Sequence, residues 1–165
     1  VTWFYVAIGA DTGDILIQER VAMRDDDTAA TLGPRTDDVA AKLLVHSLPL
    51  LANGRARRIK QNERNATQWP RRKPEDGKID WQRDAGFLYN WVRALTHPYP
   101  GAFSFAGEEK LFIWSAKRSA LPLTGAPGDI VAVDDAGAHV ATGQGPRPSL
   151  PRPPRARLSF HKDPS

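Results

Sequence analysis

The sequence predicts an α/β segment followed by a mostly β one. Three observations point there. Two β-branched and aromatic runs flank a turn at residues 9–14. Two stretches carry apolar residues at helical three- and four-residue spacing. From Ala102 onward, short apolar runs alternate with glycine-rich turns.

The first element is a hairpin. Residues 1–8 and 15–22 are expected as its strands, because Val1-Thr2-Trp3-Phe4-Tyr5-Val6 and Ile15-Leu16-Ile17 suit a pleated surface. Between them, Asp11-Thr12-Gly13-Asp14 puts two carboxylates around a Gly that can take φ > 0, which is hairpin chemistry. Asp25-Asp26-Asp27-Thr28 then offers N-caps and a negative start for a helix. Gly33-Pro34 should interrupt that helix, because Pro costs about 3 kcal/mol in a helix interior. It should resume near Thr36, with Val39, Leu43, Leu44 and Leu51 as its stripe and Gly54 as the residue that ends it.

Residues 55–78 read as a polar, basic connector. Lys78-Ile79-Asp80-Trp81 anchors by its Trp. A second helix should run from Asp84, its N-cap, to Thr96, with Phe87, Leu88, Trp91, Val92 and Leu95 on one face. Pro98 and Pro100 stop it and lead into Gly101. Four strands follow, around Phe103–Phe105, Lys110–Trp114, Ile130–Val133 and Ala138–Thr142. Several short strands with tight turns suggest a small barrel. Residues 145–165 hold six Pro and four Arg, so a disordered or polyproline tail is expected and the barrel would lack a closing strand.

The 165 residues suffice for one domain or two small ones. With 41% hydrophobic and 25% charged residues, the composition is that of an ordinary globular protein. No apolar run has the length of a membrane helix, and no leader pattern is visible. Cys is absent, which excludes disulfides and thiolate metal sites. A cytoplasmic, monomeric protein is expected. Val1 enters a strand-like run directly, so the chain is expected to begin partway through a domain.

Charge is unevenly spread. Residues 1–54 carry −4, residues 55–73 carry +7, residues 74–144 carry −3 and residues 145–165 carry +4. Two short basic segments therefore set the net +4. The first could meet RNA phosphates or an anionic substrate, or could be a solvated loop. Four His are scattered without metal-ligand spacing, and no metal is expected. Phosphate-binding glycine loops and a Gly-x-Ser-x-Gly elbow are missing from the sequence. Trp81, Trp91 and Trp114 occupy apolar-face or strand positions and read as packing residues before base-stacking ones.

One ordered series of residues resembles a known family. It runs through Asp11-Thr12-Gly13-Asp14-Ile15-Leu16, Asp26-Asp27-Thr28-Ala29, Leu48-Pro49, Gly54, Gln61 and Asn65-Ala66-Thr67. It continues through residues 72–81, Asn90-Trp91-Val92-Arg93-Ala94, residues 98–103 and Lys110-Leu111-Phe112-Ile113-Trp114. The series resembles the formyltransferases that use 10-formyltetrahydrofolate, most of all methionyl-tRNA formyltransferase, and also the amino-sugar formyltransferase domain of lipid A modification. The resemblance implies that residues 1–74 end a Rossmann-like catalytic domain and residues 75–145 form an OB-like C-terminal domain. Residues 146–165 would be the tail.

The resemblance also implies the chemistry. An amine attacks the formyl carbon, and the family uses Asn, His and Asp as oxyanion donor, base and orienting carboxylate. Asp11 matches that Asp, although turn chemistry alone would also place an Asp there. Ile8, Gly9, Ala10 and Asp11 match the loop whose backbone edge meets the pterin ring, and family members often carry acidic residues where Ala7 and Ile8 stand. The Asn-x-His-x-Ser loop has no counterpart ahead of Asp11, and Val45-His46-Ser47-Leu48-Pro49 falls on a predicted helix. Arg71, Arg72 and Lys73 match the junction where the acceptor approaches. That acceptor would be initiator methionyl-tRNA, or alternatively a 4-amino-sugar nucleotide of the UDP-amino-arabinose type. The residues alone leave open a noncatalytic RNA-binding module and a nonfunctional gene fragment.

Overall fold

The computed structural model describes residues 1–119, 124–135, 137–144 and 157–160. The chain divides into two units. One comprises Val1–Asp27 and Thr31–Arg71, and the other Thr28–Ala30 and residues 72–165.

The first unit joins a hairpin to a long helix. Strands β1 (Thr2–Phe4) and β2 (Ile15–Gln18) are antiparallel, with Thr2 opposite Gln18, Trp3 opposite Ile17 and Phe4 opposite Ile15. Leu16 is the extra residue of a β-bulge. Both strands are shorter than their apolar runs. Beyond Tyr5 the chain leaves the ladder as a loop, closed by the Tyr5 N–H donating to the Asp14 carbonyl at 2.9 Å. The Trp3 indole N–H donates to the Ala40 carbonyl at 3.0 Å and ties the hairpin to the helix.

That helix, α1 (Ala29–Ala52), runs unbroken through Pro34 and Pro49, against the expected restart at Thr36. A proline costs one ladder bond and a clash with its preceding residue. Gly33 has no Cβ to meet the Pro34 ring, and both proline rings are exposed. The loss is therefore local. Leu43 and Ser47 are buried, and the Ser47 hydroxyl donates to the Leu43 carbonyl at 2.7 Å, so its burial leaves no unpaired donor. The helix ends as the sequence suggests. Gly54 has φ +65°, its N–H donates to the Leu51 carbonyl, and the Arg55 N–H donates to the Leu50 carbonyl. This is a Schellman motif.

The second unit packs a helix and two antiparallel ladders. Helix α2 (Ala85–Leu95) starts where Asp84 accepts from the Phe87 N–H at 2.9 Å. Leu88 and Val92 are its most buried residues, and with Ile79, Ala102 and Ile113 they form the core. Trp81, Tyr89, Trp91 and Leu95 pack against that core. The Trp81 indole also donates to the Ser104 hydroxyl at 2.9 Å. Gly77 is required by contact: a Cβ there would lie 2.5 Å from the Gly101 carbonyl oxygen.

Strands β3 (Ala102–Ala106) and β4 (Glu109–Ile113) form a regular hairpin. Strands β5 (Lys117–Ser119), β6 (Ile130–Asp134), β7 (Gly137–Val140) and β8 (Arg157–Phe160) form a sheet in the order β5-β8-β7-β6. Two expectations change here. Among the described residues β4 pairs with β3 alone and β5 with β8, so the ladders stay separate and no closed barrel forms. Residues 157–160 are also a strand and not part of a structureless tail. The prolines stop at Pro154, and Ala156, Leu158 and Phe160 then alternate with Arg157 and Ser159, which is strand periodicity. The rest of the expected tail, 145–156 and 161–165, lies outside the described residues.

Candidate functional site

The loop from Val6 to Gly13 carries Asp11, and its shape follows from two close approaches. The sequence points to φ > 0 at Gly13, but the left-handed residues are Gly9 (φ 111°) and Asp11 itself (φ 56°). Asp is among the few side chains that accept this region. Gly13 is needed for a different reason: a Cβ there would lie 1.5 Å from the Tyr5 carbonyl oxygen. The Thr12 hydroxyl reaches the Ile8 carbonyl at 3.1 Å and the Gly9 carbonyl at 3.4 Å, which folds the loop on itself.

All four loop residues singled out by sequence, Ile8, Gly9, Ala10 and Asp11, are exposed. Among the described residues the Asp11 carboxylate makes no hydrogen bond or ion pair, whereas Asp14 faces Arg58 at 3.8 Å. A carboxylate presented in this way can accept an imidazole N–H and support the charge that forms on it. His46, the nearest thing in sequence to a catalytic His motif, sits exposed on α1.

The connector is more than a linker at its start. Ile59 pairs with Ile15 through two backbone hydrogen bonds, at 2.8 and 3.0 Å. The Tyr5 hydroxyl donates to the Arg57 carbonyl at 3.4 Å, and the Arg58 guanidinium lies 3.8 Å from the Tyr5 ring centroid. Gln61 follows, and its side-chain amide donates to the Asp11 carbonyl at 2.8 Å and the Gly13 carbonyl at 2.7 Å. Composition alone hid these contacts, because a basic polar run carries no period that marks a docked edge.

Arg71, Arg72 and Lys73 are all exposed. Arg72 stacks over the Trp91 ring at 4.5 Å, which anchors one guanidinium while leaving it open to solvent. The Lys73 N–H donates to Asp76 at 2.7 Å and starts the 3₁₀ turn Pro74–Gly77. Trp81 and Trp91 pack on the core, and Trp114 lies between His97 (4.0 Å) and Phe112 (5.6 Å). Among the described residues no three His, Asp or Glu side chains gather as a metal site. None of the described helices is long and apolar enough to cross a membrane.

Residues 71–147 match the family described as Formyl transferase, C-terminal domain. This segment belongs to that family. The formyl transferase C-terminal domain thus contains Arg71, Arg72 and Lys73 at its very start, then α2, the β3–β4 hairpin and most of the four-stranded sheet.

Solved structures extend the likeness beyond that domain. Methionyl-tRNA formyltransferase from Clostridium thermocellum is 28% identical over 70% of this chain and 49% of its own, with a TM-score of 0.57. A HypX variant from Aquifex aeolicus aligns with 96% of this chain and 27% of its own, at 20% identity and a TM-score of 0.64. HypX from the same organism in complex with tetrahydrofolic acid aligns with 95% of this chain and 26% of its own, at 19% identity and a TM-score of 0.63. The two HypX matches bear on the fold alone. This chain spans about half or less of each of these proteins.

Proposed function

We propose that this chain is part of an enzyme that transfers a formyl group from 10-formyltetrahydrofolate to the amine of initiator methionyl-tRNA. One observation carries the reading. Upstream of a segment that matches the formyl transferase C-terminal domain, the β1–β2 hairpin loop presents an Asp11 carboxylate that has no partner among the described residues. In the proposed reaction the acceptor amine would attack the formyl carbon to give a tetrahedral oxyanion. Its collapse would break the bond to N10 and release tetrahydrofolate, N10 taking up a proton as the amine loses one. Asp11 holds the general-base His in the orientation that takes the amine proton. The loop backbone at Ile8, Gly9, Ala10 and Asp11 would meet the folate pterin.

The tetrahydrofolate complex of HypX supports the choice of donor, since that protein is similar in fold across nearly the whole of this chain. The Clostridium methionyl-tRNA formyltransferase supports the choice of acceptor. Exposed Arg71, Arg72 and Lys73 would meet the acceptor's phosphates. The same cations would suit the diphosphate of a 4-amino-sugar nucleotide, which is the second acceptor to test. Residues 1–74 would be the end of a Rossmann-like catalytic domain, and residues 75–145 would be an OB-like C-terminal domain. The resident Asn and His of the site have no counterpart before Asp11 in this sequence. The isolated 165 residues are therefore expected to show no turnover.

The test is formyl transfer from 10-formyltetrahydrofolate by the protein encoded by the complete reading frame. Charged initiator tRNA and a 4-amino-sugar nucleotide are offered in parallel. Formyl-methionyl-tRNA as product supports the reading, and a formylated sugar nucleotide moves it to the other acceptor. Transfer to neither, with tRNA bound in a steeply salt-dependent way, would make the chain an RNA-binding module.

A further inference from the structure

Between Val6 and Gly13 the loop gets almost no help from the ladder. Its ends are fixed by the Tyr5–Asp14 hydrogen bond and by the pairing of Ile15 with Ile59. Inside it, the Thr12 hydroxyl bonds only to carbonyls of the loop itself. Among the described residues, the side chain of Gln61 is the group outside the loop that bonds to its backbone. Its two amide hydrogens go to two carbonyls, Asp11 at 2.8 Å and Gly13 at 2.7 Å. The opposite orientation of the amide would aim an oxygen at two acceptors, so the donor assignment follows from chemistry.

We infer that Gln61 is a positioning residue for the Asp11 carboxylate. The inference rests on the catalytic reading of Asp11 proposed above. The two carbonyls bracket Thr12 and Gly13, and Asp11, whose own carbonyl is the first of them, stands at φ 56°. Asp tolerates the left-handed region as a single residue, but the region stays less favourable than the right-handed one, so contacts that pin the adjoining backbone help to hold it. Pinning the carbonyls of Asp11 and Gly13 together fixes the backbone after Asp11, and with it the direction of its Cβ. Because Gln61 lies in the connector that leads to Arg71, the segment that braces the catalytic loop also leads to the cations proposed for the acceptor.

The test has two arms. In the 165-residue chain, Gln61→Glu keeps the size of the side chain and removes both donors, and Gln61→Ala removes the side chain. Arg58→Ala is the control, since it deletes the ion pair to Asp14 and leaves the amide in place. Gln61 is exposed, so these variants fold, which circular dichroism verifies. NMR backbone couplings at Asp11 are expected to lose their left-handed signature in both Gln61 variants and to keep it in Arg58→Ala. Retention of that signature in both Gln61 variants overturns the inference.

In the complete enzyme, Gln61→Glu is expected to lower kcat about 10- to 100-fold, as for a misplaced catalytic group, with the acceptor KM within about two-fold. Unchanged kcat in an otherwise active enzyme also overturns the inference. If the unsubstituted enzyme transfers no formyl group, the formyltransferase reading fails instead. The NMR arm then still decides whether Gln61 sets the Asp11 backbone.

Discussion

Arg35 donates to Asp27 at 2.7 Å from eight residues further along the chain, bracing the start of α1. Asp27 is 5% exposed and also accepts from the Arg24 N–H at 2.6 Å and the Thr31 hydroxyl at 3.1 Å. The same guanidinium reaches on to the Ala22 carbonyl. The carboxylate thus fastens the segment that leads from β2 into the helix.

These contacts set a pH dependence. The Arg24 N–H first, then Arg35 and Thr31, hold the Asp27 carboxyl below the usual carboxylate value of 3.8, against the opposing effect of burial. A carboxylate lowered on folding contributes its stability above its unfolded pKa and loses it as pH falls through its folded pKa. Asp27→Asn should lower Tm at neutral pH. The gap from the unsubstituted protein should close as the pH drops below about 4. Thermal melts of both proteins from pH 7 to pH 3 check this, and a gap that widens with acid would contradict it.

The Asp84 cap makes a second prediction. Its carboxylate accepts the Phe87 N–H at 2.9 Å, and the Leu88 N–H bonds to its carbonyl at 3.0 Å. Asp84→Ala should cost about 0.5–2 kcal/mol, whereas Asp84→Ser should cost much less. Urea unfolding of the two variants separates a lost cap from a lost charge.

Elements whose signal is local were legible in the sequence. Helix α2 falls where the stripe and the Asp84 cap put it, within a residue at each end. Strands β3, β4, β6 and β7 lie on the four expected runs. Gly54 ends α1 as expected. The misreadings came from pairs of effects that offset each other. Pro34 alone argues for a break, but Gly33 removes the side chain that would make the break necessary. Residues 157–160 were hidden by the prolines before them, although their own alternation is that of a strand. At the candidate site, the sequence points to Asp11 as a candidate but says nothing of its backbone. The loop that carries Asp11 has Gly13 against the Tyr5 carbonyl and Gln61, 50 residues away, bonded to the Asp11 carbonyl, and neither contact is a local property of the turn.

The Gly33-Pro34 pair predicts a reversal of sign. Pro34→Ala restores an N–H for the Ala30 carbonyl and should stabilise the protein by about 1–3 kcal/mol. Gly33→Ala in the natural background should destabilise it, because the new Cβ meets the Pro34 ring. In the Pro34→Ala background the same Gly33→Ala change should stabilise by about 1 kcal/mol. A double-mutant cycle by chemical denaturation measures the coupling. Additive effects would show that Gly33 does not accommodate the proline.

Two glycines should respond differently to the same change. Gly13→Ala forces a Cβ into the Tyr5 carbonyl and should cost more than about 3 kcal/mol, at the upper end for a single substitution. Gly107→Ala meets nothing within 4 Å and suffers only its φ of 60°, so about 1 kcal/mol is expected. Amide exchange across β1 and β2 in the first variant, and across β3 and β4 in the second, locates each effect.

Asp11 gives the functional prediction. On the proposed mechanism the charge of its carboxylate, and not the shape of the turn, is what the reaction uses. Asp11→Asn keeps a side chain that tolerates the left-handed region and removes the charge. The stability of the first unit should then hardly change, because the carboxylate has no hydrogen bond or ion pair among the described residues. In the complete enzyme, kcat for formyl transfer should fall about 10²- to 10⁴-fold, as when a carboxylate that orients a catalytic His is neutralised. Asp11→Gly adds a control, since it suits the backbone still better and lacks any polar group. It should be at least as inactive as Asp11→Asn. A fully active Asp11→Gly enzyme would reduce Asp11 to a turn residue.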